Sequence, residues 1–143
     1  MRLFPGLSSL TLGVSSLPEA TAFYEKLGWR HLADESTSAT SVFVLNNMLL
    51  ILRDDNLMRR DLHAGDLRDP LAACGQNYGD GPSVSAALER AREAGATILR
   101  EAGPDVFAKR SQGERGVFSD PDGHLWDIVY DPARMPDAEG AIR

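Results

Sequence analysis

A helix stopped by glycine and followed at once by a strand occurs twice in this chain, and that repeat limits the folds open to it. Leu27-Gly28-Trp29 is the first instance and Ala94-Gly95-Ala96 the second. Glycine accepts the left-handed backbone that closes a helix, so each marks a position just past a helix end. Around each stop the same order of elements can be read although letter identity hardly repeats. The chain is therefore a duplication by architecture.

In the first copy, Leu7 to Val14 reads as a strand in which Leu10, Leu12 and Val14 alternate with Ser9, Thr11 and Gly13. Ser16-Leu17-Pro18-Glu19 is a capping box, and Leu17, Ala20, Phe23, Tyr24 and Leu27 form the apolar stripe of the helix it opens. Trp29 to Ala33 is a second strand. Ser41 to Leu45 and Met48 to Leu52 are apolar runs joined by Asn46-Asn47, and asparagine tolerates the backbone of a two-residue hairpin. Arg53 to Pro70 is rich in Asp and Arg and reads as a crossover loop, with room for a helical turn between Asn56 and His63.

The pattern then restarts. Leu71 to Tyr78 is a weak strand. Ser83 is read as the cap of a helix carrying Val84, Ala87, Leu88, Ala91 and Ala94, and Ala96 to Arg100 is a strand. Val106 to Lys109 is expected to pair with Arg115 to Ser119, and His124 to Asp131 is the last strand. The expected class is α+β, with two βαβββ modules. The whole chain is one domain, with module one at about 7–53, a linker at 54–70 and module two at about 71–132.

The last two strands flank Asp120-Pro121-Asp122-Gly123, a tight-turn sequence in which Pro presets φ, Asp bonds back to backbone and Gly accepts positive φ. Along the final strand Leu125, Asp127 and Val129 point one way and Trp126, Ile128 and Tyr130 the other. An acid thus lies mid-strand, opposite a large aromatic. It is either a ligand-binding group or a plain strand residue, its carboxylate in water, in a salt bridge or in a turn contact.

The net charge of −6 argues against nucleic acid or an anionic membrane as partner. The single cysteine, Cys74, excludes an intrachain disulfide and a Cys-rich zinc site. No basic-then-apolar leader is present, and no apolar run approaches the roughly 20 residues of a membrane span. A cytoplasmic protein is expected.

Ser8-Ser9-Leu10-Thr11-Leu12-Gly13-Val14, Leu17-Pro18-Glu19-Ala20, Phe23-Tyr24, Leu27-Gly28-Trp29 and Asp120-Pro121-Asp122-Gly123-His124-Leu125-Trp126-Asp127 together resemble the vicinal oxygen chelate superfamily, which includes glyoxalase I, bleomycin-resistance proteins and extradiol dioxygenases. The resemblance implies that the strands of the two βαβββ modules form a curled mixed sheet with a half-open cup, in which a small ligand sits and, in many members, a divalent metal. Metal-dependent members take a His from the first strand, a His or Glu from the first strand of the second module, and a Glu four residues after the turn glycine. Those positions fall here on Ser9, on Cys74 or Gln76, and on Asp127. A neutral hydroxyl is a poor ligand for a first-row divalent metal, and catalytic sites use about three protein donors. No metal and no cofactor is therefore expected.

What remains is a polar cup. Ser9 and Thr11 supply hydroxyls, Gln76 an amide and Asp127 an acid, with Cys74 nearby and Tyr78 and Phe107 available to stack on a flat ligand. Each also has a plainer reading as strand packing. Lys109, Arg110 and Arg115 are solvated surface charge or a cationic mouth, and Gly113 and Gly116 make their loop a candidate for movement. The expectation is a metal-independent small-molecule-binding protein of the glyoxalase/bleomycin-resistance type. It is expected to be a homodimer, with Phe43 to Leu45 and Met48 to Leu52 as pairing surface. The rivals are a metal-dependent lyase, isomerase or transferase with unusual ligands, and a dimeric interaction module whose cup is filled by its own side chains.

Overall fold

The structure, a computed structural model, describes residues 7–65, 71–105, 113–135 and 137–138. The chain divides into two compact units, Met1–Leu67 and Arg68–Arg143.

The first unit begins with strand β1 (Ser9–Val14) and helix α1 (Leu17–Lys26). Ser16 caps α1 by accepting the Glu19 N–H, Pro18 sits in the first turn, where a missing N–H costs nothing, and Gly28 follows the helix at φ 84°. Strand β2 is short, Arg30–His31, and leads through a 3-10 turn at Ala33–Glu35 to strands β3 (Thr40–Leu45) and β4 (Met48–Asp54). Asn46 takes positive φ in the β3–β4 turn. The sheet order is β1-β4-β3-β2, with β1 parallel to β4 and the other pairings antiparallel. Its core is Leu12, Val14, Phe43, Leu50 and Leu52 against Ala20, Phe23 and Tyr24 of α1. A hydroxyl contact of 2.7 Å between Thr21 and Ser41 ties α1 to β3. The stretch read as a linker opens with helix α2 (Asp55–Asp61), which is capped by Asp54 and packs on β1 and β4.

Phe43, Leu50 and Leu52, expected as part of a pairing surface, are fully buried beneath α1. The alternation of a strand that is covered on one face puts every second apolar residue in the core.

The second unit repeats the plan with strand β5 (Ala73–Asn77), helix α3 (Gly81–Ala94) and strands β6 (Thr97–Pro104), β7 (Glu114–Ser119) and β8 (Leu125–Tyr130). The order β5-β8-β7-β6, with β5 parallel to β8, matches that of the first sheet strand for strand. The duplication read from the helix stops is thus carried through to sheet topology. Both units are α+β, and each has its own four-stranded mixed sheet.

Three local expectations change. The cap of α3 is Asp80, whose carboxylate accepts both the backbone N–H and the hydroxyl of Ser83, at 2.8 and 2.6 Å. Ser83, expected as the cap, is therefore a donor inside the first turn. The expected pairing of Arg115 to Ser119 with Val106 to Lys109 gives way to one with β6, because β6 and β8 occupy the two edges of β7. Val106 to Lys109 lies outside the described residues. Gly116, expected in a mobile loop, lies within β7 under α3, where a Cβ would overlap the Leu88 side chain and come within 3.3 Å of the Arg100 carbonyl.

Candidate functional site

The turn before β8 is built as its residues dictate. The Asp120 side chain is 4% exposed in all, and its Oδ1 accepts the N–H groups of Asp122 and His124 at 3.0 and 2.8 Å. Gly123 has φ 87°. This fixes the hairpin register: Ser119 faces Leu125, Phe118 faces Trp126, Val117 faces Asp127 and Arg115 faces Val129.

That register sorts the side chains. Phe118, Trp126 and Ile128 are buried on the face that α3 covers. Arg115, Val117, Leu125, Asp127 and Val129 lie on the opposite, open face. There Arg115 and Asp127 are diagonal neighbours. Their groups meet side-on, Nε donating to Oδ1 at 2.7 Å and Nη2 to Oδ2 at 2.9 Å. The two side chains are 28% and 22% exposed. Hydrogen bonding to Asp127 holds the guanidinium proton more tightly than usual, with the charges of Asp127 and Asp105 adding to this against partial desolvation. The Arg115 charge is permanent at any ordinary pH. Of the plainer readings of Asp127, the salt bridge is the one observed.

The parallel pairing of β5 with β8 decides where the other expected site residues lie. Gly75 is the partner of Asp127, while Cys74 pairs with Trp126 and Gln76 with Ile128. Cys74 and Gln76 are therefore on the helix side of the sheet, away from Asp127. Tyr78 joins them. Its hydroxyl donates to Gln76 Oε1 at 3.3 Å, and burial pushes its phenol up against the pull of Arg90 on α3. In the first unit Ser9 and Thr11 lie on the face of β1 away from α1, with Ser9 exposed and Thr11 half-buried. Phe107, Lys109 and Arg110 lie outside the described residues.

Burial pushes the Cys74 thiol up, and the nearby Asp120 charge pushes it further. Alkylation by iodoacetamide is therefore expected to be slow at neutral pH and to accelerate only above the ordinary thiol range, with the ordinary rate restored in urea. In unfolding titrations, the unfolded thiol ionises first. The stability linked to Cys74 is thus whole below the ordinary thiol pKa and is lost as pH rises through the higher folded value. A folded-state rate equal to the rate in urea would contradict this placement.

A second row of groups stands out in the first unit. Glu25 Oε1 lies 2.9 Å from His31 Nδ1, and His31 Nε2 lies 3.0 Å from Ser36 Oγ. The order acid, imidazole, hydroxyl is that of a nucleophile triad. Ser36 Oγ, however, also donates to the Leu32 carbonyl at 2.8 Å and accepts the Val42 N–H at 3.1 Å. Its hydrogen-bonding capacity is filled. With His31 stacked on Phe43, the row pins the β2–β3 connection.

The resemblance places metal ligands at Ser9, on β5 and at Asp127. The residues there do not fit a divalent metal. The β5 position beside Asp127 has no side chain, Ser9 offers a neutral hydroxyl, and the Asp127 carboxylate is committed on both oxygens to a cation. Among the described residues no three His, Cys, Asp or Glu side chains gather into a group able to hold a metal ion.

Gly75, and the pairing of Arg115 with Asp127, are the features of this face that sequence reasoning did not place. A signal for Arg115 was present: it and Asp127 have the same parity about the Asp120–Gly123 turn, so hairpin register alone puts them on one face.

Two mixed βαβββ sheets of identical strand order, with an acid four residues beyond a DPDG turn, define a glyoxalase-type fold. The chain belongs to the Glyoxalase/Bleomycin resistance protein/Dioxygenase superfamily, whose model matches residues 6–128. A glyoxalase-related enzyme from Fulvimarina pelagi is similar in structure, with TM-score 0.83 and 25% identity over 98% of this chain and 98% of its own. A hypothetical protein from S. aureus shares the fold at TM-score 0.74 and 15% identity, over 91% of this chain and 96% of its own. A family protein from Burkholderia phytofirmans PsJN does so at TM-score 0.74 and 12% identity, over 88% and 98%. No curated protein sequence matches. Among the described residues no helix is long and apolar enough to cross a membrane.

Proposed function

We propose that the chain is a metal-independent binding protein for a small molecule, of the glyoxalase/bleomycin-resistance type. The observation that carries this reading is the side-on Arg115–Asp127 pair. In a metal-dependent relative the carboxylate at this position would be a cation's ligand. Here a guanidinium from the neighbouring strand takes both of its oxygens, and a charge-assisted bidentate pair of this geometry is among the stronger polar contacts a protein makes. A metal would have to displace Arg115 to reach Asp127, and it would find Gly75 beside it. The open face of the second sheet carries the Arg115–Asp127 pair among Val117, Leu125 and Val129, with Gly75 alongside, and a few polar groups on an apolar lining suit small-molecule binding.

Metal analysis tests this. Protein purified without chelator is expected to hold no stoichiometric zinc, manganese, nickel or iron, and adding each metal is expected to leave its Tm unchanged. A thermal-shift screen of small organic molecules is expected to yield ligands without added metal. Near-stoichiometric metal that is lost in Asp127→Ala would overturn the reading in favour of a metal-assisted enzyme. Pairing as a homodimer is proposed alongside, and light scattering in solution reads it directly.

A further inference from the structure

Gly75 has no conformational reason to be glycine. Its φ lies outside the left-handed region, and a Cβ there would meet nothing closer than the Asp127 carbonyl oxygen at 3.9 Å. Glycine inside a strand weakens it and leaves no side chain to pack, so the fold gains nothing from this choice. What Gly75 does is keep bare the strip of sheet next to Asp127. The residue is exposed, as is Ala73 two positions earlier on the same face.

The guanidinium nearby is only half used. Arg115 spends Nε–H and one Nη2–H on Asp127. The fork has five N–H donors, so both Nη1 hydrogens and the second Nη2 hydrogen remain. Among the described residues they donate to nothing. They form the outer edge of the group, fixed in direction by the side-on pair.

Charge narrows what that edge can take. Asp127 takes Arg115 side-on at 2.7 and 2.9 Å, so among the described residues the pair as a whole offers no excess of positive charge. An anionic ligand at that edge would lie beside the Asp127 carboxylate and meet a guanidinium already neutralised by it. A cationic ligand would compete with a guanidinium held at 2.7 and 2.9 Å. A neutral acceptor takes the free N–H donors and adds no charge.

We infer that the open face of the second sheet binds a neutral, carbonyl-bearing small molecule whose oxygen accepts from the outer edge of Arg115 and whose body lies over Gly75. Asp127 is the positioning residue that aims the guanidinium. The inference rests on the small-molecule reading above and adds its place and its ligand chemistry.

Benzamide and benzoate share one shape and differ in charge, which makes them the probes. In nitrogen-15 NMR, millimolar benzamide is expected to shift the Arg115 side-chain resonance, and benzoate to bind about tenfold more weakly or worse. Gly75→Val is expected to keep or raise the Tm, since the space is open and valine suits a strand, while abolishing the benzamide response. Asp127→Asn is expected to weaken benzamide binding and broaden the Arg115 signal, a change that loss of packing alone would not produce. Tighter binding of benzoate would overturn the inference in favour of an anion site. An unshifted Arg115 resonance, or binding retained in Gly75→Val, would overturn it outright. Library ligands that bind and perturb only other residues would sink this inference and leave the small-molecule reading standing. No ligand from any screen would sink both.

Discussion

Trp126→Ala is expected to destabilise the second unit by about 3–5 kcal/mol, the usual cost of truncating a buried large aromatic. Trp126 is 1% exposed and fully inside the layer between β8 and α3. Phe118, its register partner, is stacked against it at 6.4 Å between ring centres, and Ile128, two residues on along the same face, is also buried. Backbone hydrogen bonds of three neighbouring strands and the helix packing hold the walls apart, so the space cannot close fully and a cavity term adds to the lost transfer energy. A domain has only about 5–15 kcal/mol to lose, so the change removes a large part of the margin. Urea unfolding monitored by far-UV circular dichroism measures it. A loss below about 1 kcal/mol would mean that Trp126 is not the keystone its burial implies. The substitution also separates fold from site. Trp126 points away from Asp127, so any surviving folded fraction should keep the Arg115–Asp127 pair.

Phe43→Ala should cost the first unit about as much, again about 3–5 kcal/mol. Phe43 is fully buried, with the Tyr24 ring 5.9 Å away and the His31 ring stacked at 4.8 Å. Its strand partners are Leu50 on β4 and His31 on β2. Removing the ring opens a void and also takes away the surface against which His31 is held between Glu25 and Ser36. The expected signature is therefore local as well as global. Amide protection should fall most in β3 and β4 and at Val42, whose N–H reaches Ser36 Oγ. Uniform protection loss across both units, with no excess at these amides, would contradict this.

The parts of the fold legible in the sequence are those governed by neighbours along the chain. Ser16 with Glu19 announces α1, and Gly28 and Gly95 end their helices at φ 84° and 103°. Asp120 to Gly123 makes the turn its residues require, and Asn46 takes the positive φ of a tight hairpin. Each depends on a steric or hydrogen-bonding preference spanning four residues or fewer. Cap identity at α3 slipped because Asp80 and Ser83 both qualify locally, and the carboxylate, able to accept from two donors at once, won.

The site was legible only in part. Asp127 announced itself as an acid amid apolar strand residues, but its partner did not. Strand β5, Ala-Cys-Gly-Gln-Asn, has no apolar alternation, so nothing within it says which residues share a face with Asp127. Pairing with β8 answers that, placing Gly75 beside the acid and turning Cys74, Gln76 and Tyr78 toward α3.

By itself, then, the sequence determined two βαβββ units, their helix ends and turns, and the lack of a good donor set for a divalent metal at the positions a relative would use. Only the tertiary structure decided that Asp127 is clamped by Arg115, that Gly75 leaves the surface beside it bare, and that Phe43 and Leu50 form core instead of surface. The physical reason is range. Caps and turns are set by backbone sterics within a few residues, whereas the face a side chain occupies is set by interstrand register, which a weak strand takes from the neighbour it pairs with.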